Sequence, residues 1–266
     1  MPAIQPARLK IEISKIVAHF GAPVEFVRAI HDLFDFYADR THRPGRGGKP
    51  FSLVRAYNVP RQVLRQIEVE LAPKAAVDPE RALVLADAIW QENYLECRLL
   101  AIAILGEIPP DPPEQVVERI QAWGRECGED RQLDASLIVG LARIRKETPE
   151  LFLRILETWI TSHDLASQKV GLRVLPPLVK DVSFENLPAV FHMITPLVRN
   201  VDTVLEVDLL AVLHALAQRS PQETAYFLRQ SLAISDQPGI ASLVWQSLYS
   251  FPPEIETSLR ELLRRD

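Results

Sequence analysis

The sequence predicts an all-α protein: a right-handed α-solenoid of HEAT-like helical repeats behind an N-terminal helical cap. Three observations lead there. A proline followed by an acidic or amide residue and then an apolar-periodic run recurs at intervals of 32 to 39 residues. Between these starts lies a second run with apolar residues three and four apart, the period of one helix face. No stretch combines period-two alternation with turn residues at both ends, so no strand is predicted. Two helices per period of this length is the pattern of an α-solenoid.

The elements follow in chain order. Amphipathic runs over 6–20 and 23–38 predict a helical pair. The segment Arg40-Thr-His-Arg-Pro-Gly-Arg-Gly-Gly-Lys-Pro50 carries too much Gly and Pro for a helix and reads as a loop. A third run, 59–71, starts with Pro60 at the first helical position, where the missing N–H costs nothing. These parts form the cap, residues 1–75. The repeats then fill 76–266 without a linker, and the whole chain reads as one domain. Repeat starts are Asp78-Pro79-Glu80-Arg81, Pro112-Pro113-Glu114-Gln115, Thr148-Pro149-Glu150-Leu151, Ser220-Pro221-Gln222-Glu223 and Pro252-Pro253-Glu254-Ile255. Asn186-Leu187-Pro188-Ala189 is a degenerate further copy. Asp78, Thr148 and Ser220 suit the N-cap, and the glutamates suit the positive end of the helix dipole. The second runs are 94–105, 133–144, 165–179, 204–216 and 237–249. Trp245 and Tyr249, one turn apart on the last, read as packing the C-terminal end.

Composition narrows the class. The chain has 266 residues, 47% of them apolar and 24% charged, with 21 Pro against 10 Gly. That is neither a disordered nor a collagen-like chain. Cys97 and Cys127 are too few for a disulfide framework or a multi-cysteine zinc site, and read as reduced core thiols of a cytoplasmic protein. None of the six histidines stands four residues from another His or a Cys, so no metal is expected. The glycines match no phosphate loop, dinucleotide fingerprint or nucleophile elbow, and no cofactor is expected. No apolar run approaches the ~18 residues of a membrane span. The start Met-Pro-Ala-Ile-Gln lacks a basic n-region and an apolar h-region, so secretion is not expected. A monomer is the default.

Charge is distributed unevenly. The net charge is −5, yet residues 1–74 hold 12 Lys and Arg against 7 Asp and Glu. Between Arg40 and Ile67 there is no acid, while Arg40, Arg43, Arg46, Lys49, Arg55, Arg61 and Arg65 are all cationic. A basic loop feeding a helix N-terminus can bind phosphate through its side chains and through the free N–H groups of the first turn. A solvated loop that touches nothing is the alternative. A second basic group comprises Arg143, Arg145, Lys146, His163, Lys169 and Arg173. Its first three members also suit a helix C-terminus. If the second helices line a concave face, Arg143, Lys169 and Arg173 would form a phosphate-binding stripe, interrupted afterwards by Glu206 and Asp208.

Residues 52–107 carry more than periodicity. Tyr57-Asn-Val-Pro-Arg-Gln-Val-Leu-Arg65 is followed by Ala82-Leu-Val-Leu-Ala-Asp-Ala-Ile-Trp90 and by Gln91-Glu-Asn-Tyr-Leu-Glu-Cys-Arg98-Leu-Leu-Ala101-Ile-Ala-Ile-Leu-Gly106. Together these resemble the DNA alkylation repair family of HEAT-like proteins, the AlkD-type alkylpurine DNA glycosylases. Within them Trp90 and Leu99 read as core, and Arg98 with Glu96 nearby as an inter-repeat ion pair. The resemblance implies double-stranded DNA wrapped along a concave, positive face. It also implies a damaged nucleotide held against paired tryptophans, beside an excising Asp and an Arg. Such a carboxylate would stabilise the developing cationic sugar or position a water, and indole faces would contact a cationic alkylated base.

Asp134 aligns with the family's catalytic Asp, so the resemblance makes it the candidate catalyst. Asp130 stands where the aromatic is expected. In Ser162-His-Asp-Leu-Ala-Ser-Gln-Lys-Val170 the second aromatic is replaced by Leu165 or Ala166, with Lys169 the nearest cation. Two functions stay open. One is a DNA-binding protein of the alkylation repair type, with or without glycosylase activity. The other is a non-catalytic HEAT scaffold that binds a protein or peptide on its concave face.

Overall fold

The computed structural model describes residues 4–39, 54–127, 130–234 and 238–264, apart from the side chains of Arg131 and Pro238. These residues are all-helical, with one isolated backbone bridge between Arg55 and Tyr94 and no strand. The chain divides into two compact units, 1–152 and 153–266. The first contains α1 (Pro6–Val17), α2 (Pro23–Tyr37), α3 (Arg61–Val77), α4 (Pro79–Trp90), α5 (Leu95–Leu105), α6 (Glu114–Glu126), α7 (Arg131–Gly140), α8 (Ala142–Glu147) and the first turn of α9 (Pro149–Ile160). The second contains the remainder of α9, then α10 (Leu165–Lys180), α11 (Leu187–Arg199), α12 (Glu206–Arg219), α13 (Pro221–Ile234), α14 (Pro238–Ser247), a 3-10 turn (Leu248–Ser250) and α15 (Pro253–Leu263).

Proline marks the helix starts. It opens α4, α9, α13 and α15 and occupies the first turn of α11, as the spacing predicts. Pro60 and Pro113 instead lie one residue outside α3 and α6. Asp78 caps α4 by accepting the Arg81 N–H at 3.1 Å. Thr148 departs from expectation: its hydroxyl donates backwards to the Ile144 carbonyl at 2.9 Å, closing α8. Pro73, Pro176, Pro177 and Pro196 lie inside helices, where each forgoes an N–H donor. Around the Pro176-Pro177 pair, Leu172, Val174, Leu175, Leu178 and Val179 are all fully buried. Their packing carries α10 across the two missing donors.

The run predicted over 133–144 is two helices, broken at Leu141 (φ −101°, ψ 7°). Close approach explains the glycine just before the break. A Cβ on Gly140 would lie 2.2 Å from Ile120 Cδ1, and one on Gly106 would lie 2.2 Å from the Val139 carbonyl oxygen. The end of α5 therefore sits directly on α7.

In the first unit α3, α5 and α7 pack in succession, and α4 covers α5. Two hydrogen bonds set the register of the middle pair. Trp90, ending the helix before α5, donates to Glu126, which ends the helix before α7, at 2.7 Å. Arg143, after α7, donates to the carbonyl of Glu107, after α5, also at 2.7 Å. Both pairs are 36 residues apart, so α5 and α7 run parallel with that offset. In the second unit α10 packs on α12 and α12 on α14, while Gly171 brings α10 against Trp159 and Ile160.

Candidate functional site

The residues around the first turn of α5 are tied together by an acid that periodicity alone would assign to the surface. Glu96 is 3% exposed. Its Oε2 accepts the backbone N–H of Tyr57 at 3.0 Å, and its Oε1 accepts those of Asn58 at 2.7 Å and Val59 at 3.4 Å. Asn58 has φ 56°, in the left-handed region that Asn tolerates better than most residues. Glu96 thus holds the turn that precedes α3. The Arg55 carbonyl accepts the Leu95 N–H at 2.7 Å, which fixes the same segment to the N-terminus of α5.

A polar and aromatic layer covers this anchor. His31 Nε2 lies 2.9 Å from Glu92 Oε2, and Nδ1 lies 2.8 Å from the Tyr57 hydroxyl. With the ring N–H on Nε2 facing the carboxylate, Nδ1 accepts from the tyrosine. Tyr57 stacks on Tyr94 with centroids 4.4 Å apart, and His31 meets Tyr94 edge-on. Burial, and then the proximity of Tyr94, hold the Tyr57 phenol well above its usual range. Burial, and then the carboxylates of Glu92 and Glu96, do the same to the Cys97 thiol.

Behind this layer Trp90 and Trp123 stack with centroids 4.4 Å apart and planes 4° from parallel. The Arg98 guanidinium covers Trp90 at 5.0 Å from the ring centroid. The expected Arg98–Glu96 ion pair does not form, because Glu96 is turned to the 57–59 backbone. Both tryptophans are buried, and the faces of Trp90 are taken by Trp123 and Arg98. Trp123 belongs to none of the motifs in the sequence, and the signal that points to it is a spacing from Trp90 that falls within the interval of the proline series. Nearby, Arg119 makes two 2.8 Å bonds to the Asp87 carboxylate, joining α6 to α4.

Asp134 lies in the first turn of α7 and is 8% exposed. Asp130, where the resemblance leads one to expect an aromatic, is the fully buried N-cap of that helix. Its Oδ1 accepts the N–H groups of Gln132 at 3.1 Å and Leu133 at 3.2 Å. A family model described as DNA alkylation repair enzyme matches residues 46–238, well over half of the chain. The chain belongs to the DNA alkylation repair enzyme family. Neither the curated proteins nor the solved structures gave a match.

The family match contains most of the predicted phosphate contacts. Arg40, Arg43, Arg46 and Lys49 lie outside the described residues. Arg55 and Arg61 are exposed, flanking the 57–59 turn. Arg143 is paired with Glu147 at 2.7 Å as well as holding the Glu107 carbonyl. In the second unit Lys169 is half-buried on α10. Arg173, also on α10, faces Asp208 of α12 at 3.3 Å with both side chains largely buried. The acid expected to interrupt a basic stripe therefore neutralises one of its members. Trp245 and Tyr249, expected to be packed, are 53% and 73% exposed, with Arg260 over Trp245 and His214 stacked on Tyr249. Among the described residues no group of three or more His, Cys, Asp or Glu could hold a metal ion. No described helix is long and apolar enough to cross a membrane.

Proposed function

We propose that this member of the alkylation repair family is a monomeric, cytoplasmic DNA-binding protein whose helix pairs form a right-handed solenoid of HEAT-like repeats behind an N-terminal cap. The observation that carries the reading is the family match over 46–238, which spans both the basic turn before α3 and Asp134 on α7. Arg40, Arg43, Arg46, Lys49, Arg55 and Arg61 would neutralise phosphates on one side of the duplex, and Arg143, Lys169 and Arg173 would extend the contact. Base excision would rest on Asp134. A carboxylate excluded from most solvent is suited to stabilising positive charge that develops on a sugar as the glycosidic bond to an alkylated purine breaks. No tryptophan flanks it on α7, so the alkylated base would be held by other groups.

The test is release of methylated purines from duplex DNA by the wild-type chain and by Asp134→Asn. Release that is lost in D134N, with duplex affinity retained, supports excision at this carboxylate. Binding without release in the wild type would leave a DNA-binding protein and remove the glycosylase activity. A scaffold that takes a protein or peptide on its concave face is the second reading. It draws support from Asp130 acting as a helix cap and from Asp208 neutralising Arg173. Absence of duplex binding at low salt would favour it.

A further inference from the structure

Arg98 is the anomaly among the inward-lying cations. Its Nε is buried and has no hydrogen-bond partner. Among the described residues its guanidinium meets no carboxylate, and its contact is the face of Trp90. The nearby acids are already engaged: Glu96 by three backbone N–H groups, Glu92 by His31, and Glu126 by the Trp90 indole. By contrast, Arg119 and Arg173 each have an aspartate. An arginine stacked on an indole keeps its in-plane donors directed outward along the ring plane, which suits a tetrahedral oxyanion. With Nε buried and without an acceptor, the guanidinium charge is not neutralised there within the protein, and the side chain, only half-buried as a whole, keeps its remaining donors for an anion.

Position adds a second observation. The 36-residue offset between the parallel helices α5 and α7 puts Arg98 in the register position of Asp134, one helix away. Arg55 joins the same place, since its carbonyl accepts the first N–H of α5.

We propose that Arg98, backed by the Trp90–Trp123 stack, is an anion-binding residue that takes a DNA phosphodiester one helix away from Asp134. The proposal rests on the DNA-binding reading but not on excision. The Trp90 stack sets the direction of the guanidinium, and the engagement of the neighbouring acids elsewhere leaves its charge available. Arg98 is therefore a binding residue for the backbone and carries no base specificity.

The experiment is duplex affinity against salt for wild type, Arg98→Gln, Arg98→Lys and the exposed control Arg28→Gln, each first shown to be folded by its thermal melt. One phosphate contact contributes about 0.9 to the slope of log affinity against log salt. R98Q is expected to lower the slope by about that amount, R98K to keep the slope with weaker affinity, and R28Q to match wild type. An unchanged slope in a folded R98Q overturns the proposal while leaving DNA binding intact. An equal loss in R28Q overturns it as well, by making the effect one of general charge. A wild type that fails to bind duplex removes the DNA-binding reading and this proposal together. Should R98Q not fold, a lowered slope in R98K would overturn the proposal and a retained one would support it.

Discussion

Glu96→Gln is the most informative single change in the first unit. The carboxylate accepts three backbone N–H groups, two of them in short bonds of 2.7 and 3.0 Å, and is almost fully buried. A glutamine keeps one acceptor oxygen, which can serve Asn58 and Val59, but sets an NH2 against the Tyr57 N–H. Losing charge assistance on the Asn58 bond costs about 1 kcal/mol, and orphaning the Tyr57 donor costs about 1–3 kcal/mol more. The facing donors add to this, for a total of about 3–4 kcal/mol. At ~2–4 °C per kcal/mol for units of this size, the melting temperature should fall by about 10 °C. Differential scanning calorimetry reads this directly. A fall below about 2 °C would show that the 57–59 turn is held by something else.

Two further outcomes follow from packing and ionisation. Gly106→Ala should destabilise by about 2–3 kcal/mol, because its methyl would meet the Val139 carbonyl, part of a backbone that cannot step aside. Gly21→Ala should stay within about 0.5 kcal/mol, since there the nearest atom is the flexible Arg81 side chain at 3.6 Å. Equal losses in chemical unfolding would contradict that account. Glu68 has its pKa raised by burial, against the opposing pull of Arg61 and Arg65. A carboxyl that holds its proton more tightly when folded stabilises the fold at low pH and loses that contribution as pH rises through its folded pKa. Glu68→Gln should therefore raise the melting temperature at neutral pH, and the gain should vanish in acid. A gain independent of pH would refute the assignment.

The helical plan was legible because it is written in local chemistry. Pro79, Pro149, Pro221 and Pro253 open helices because a missing N–H is harmless only there. The proline pair at 176–177 shows the limit of that rule, since burial of the apolar residues around it, Leu172, Val174, Leu175, Leu178 and Val179, outweighs two lost donors. The cap assignment at Thr148 failed for a similar reason. A hydroxyl at the junction of two helices can bond backwards or forwards, and spacing does not distinguish the two. Asp134 and the arginines could be named from resemblance and charge, but their surroundings could not. Glu96 bonds backbone 37 to 39 residues away. Nothing local distinguishes an acid that holds a distant turn from one that pairs with the arginine two residues on. The orphaned state of Arg98 follows from where Glu96 points and was equally hidden.

The proposed function requires that this chain bind duplex DNA through its backbone phosphates. Equilibrium affinity for an undamaged duplex, measured from low to moderate salt, tests it most directly. With nine cations assigned to phosphates and Arg98 as a tenth, log affinity should fall linearly with log salt, with a slope approaching about −9 at full engagement. Affinity that is absent at low salt, or present but insensitive to salt, would contradict it.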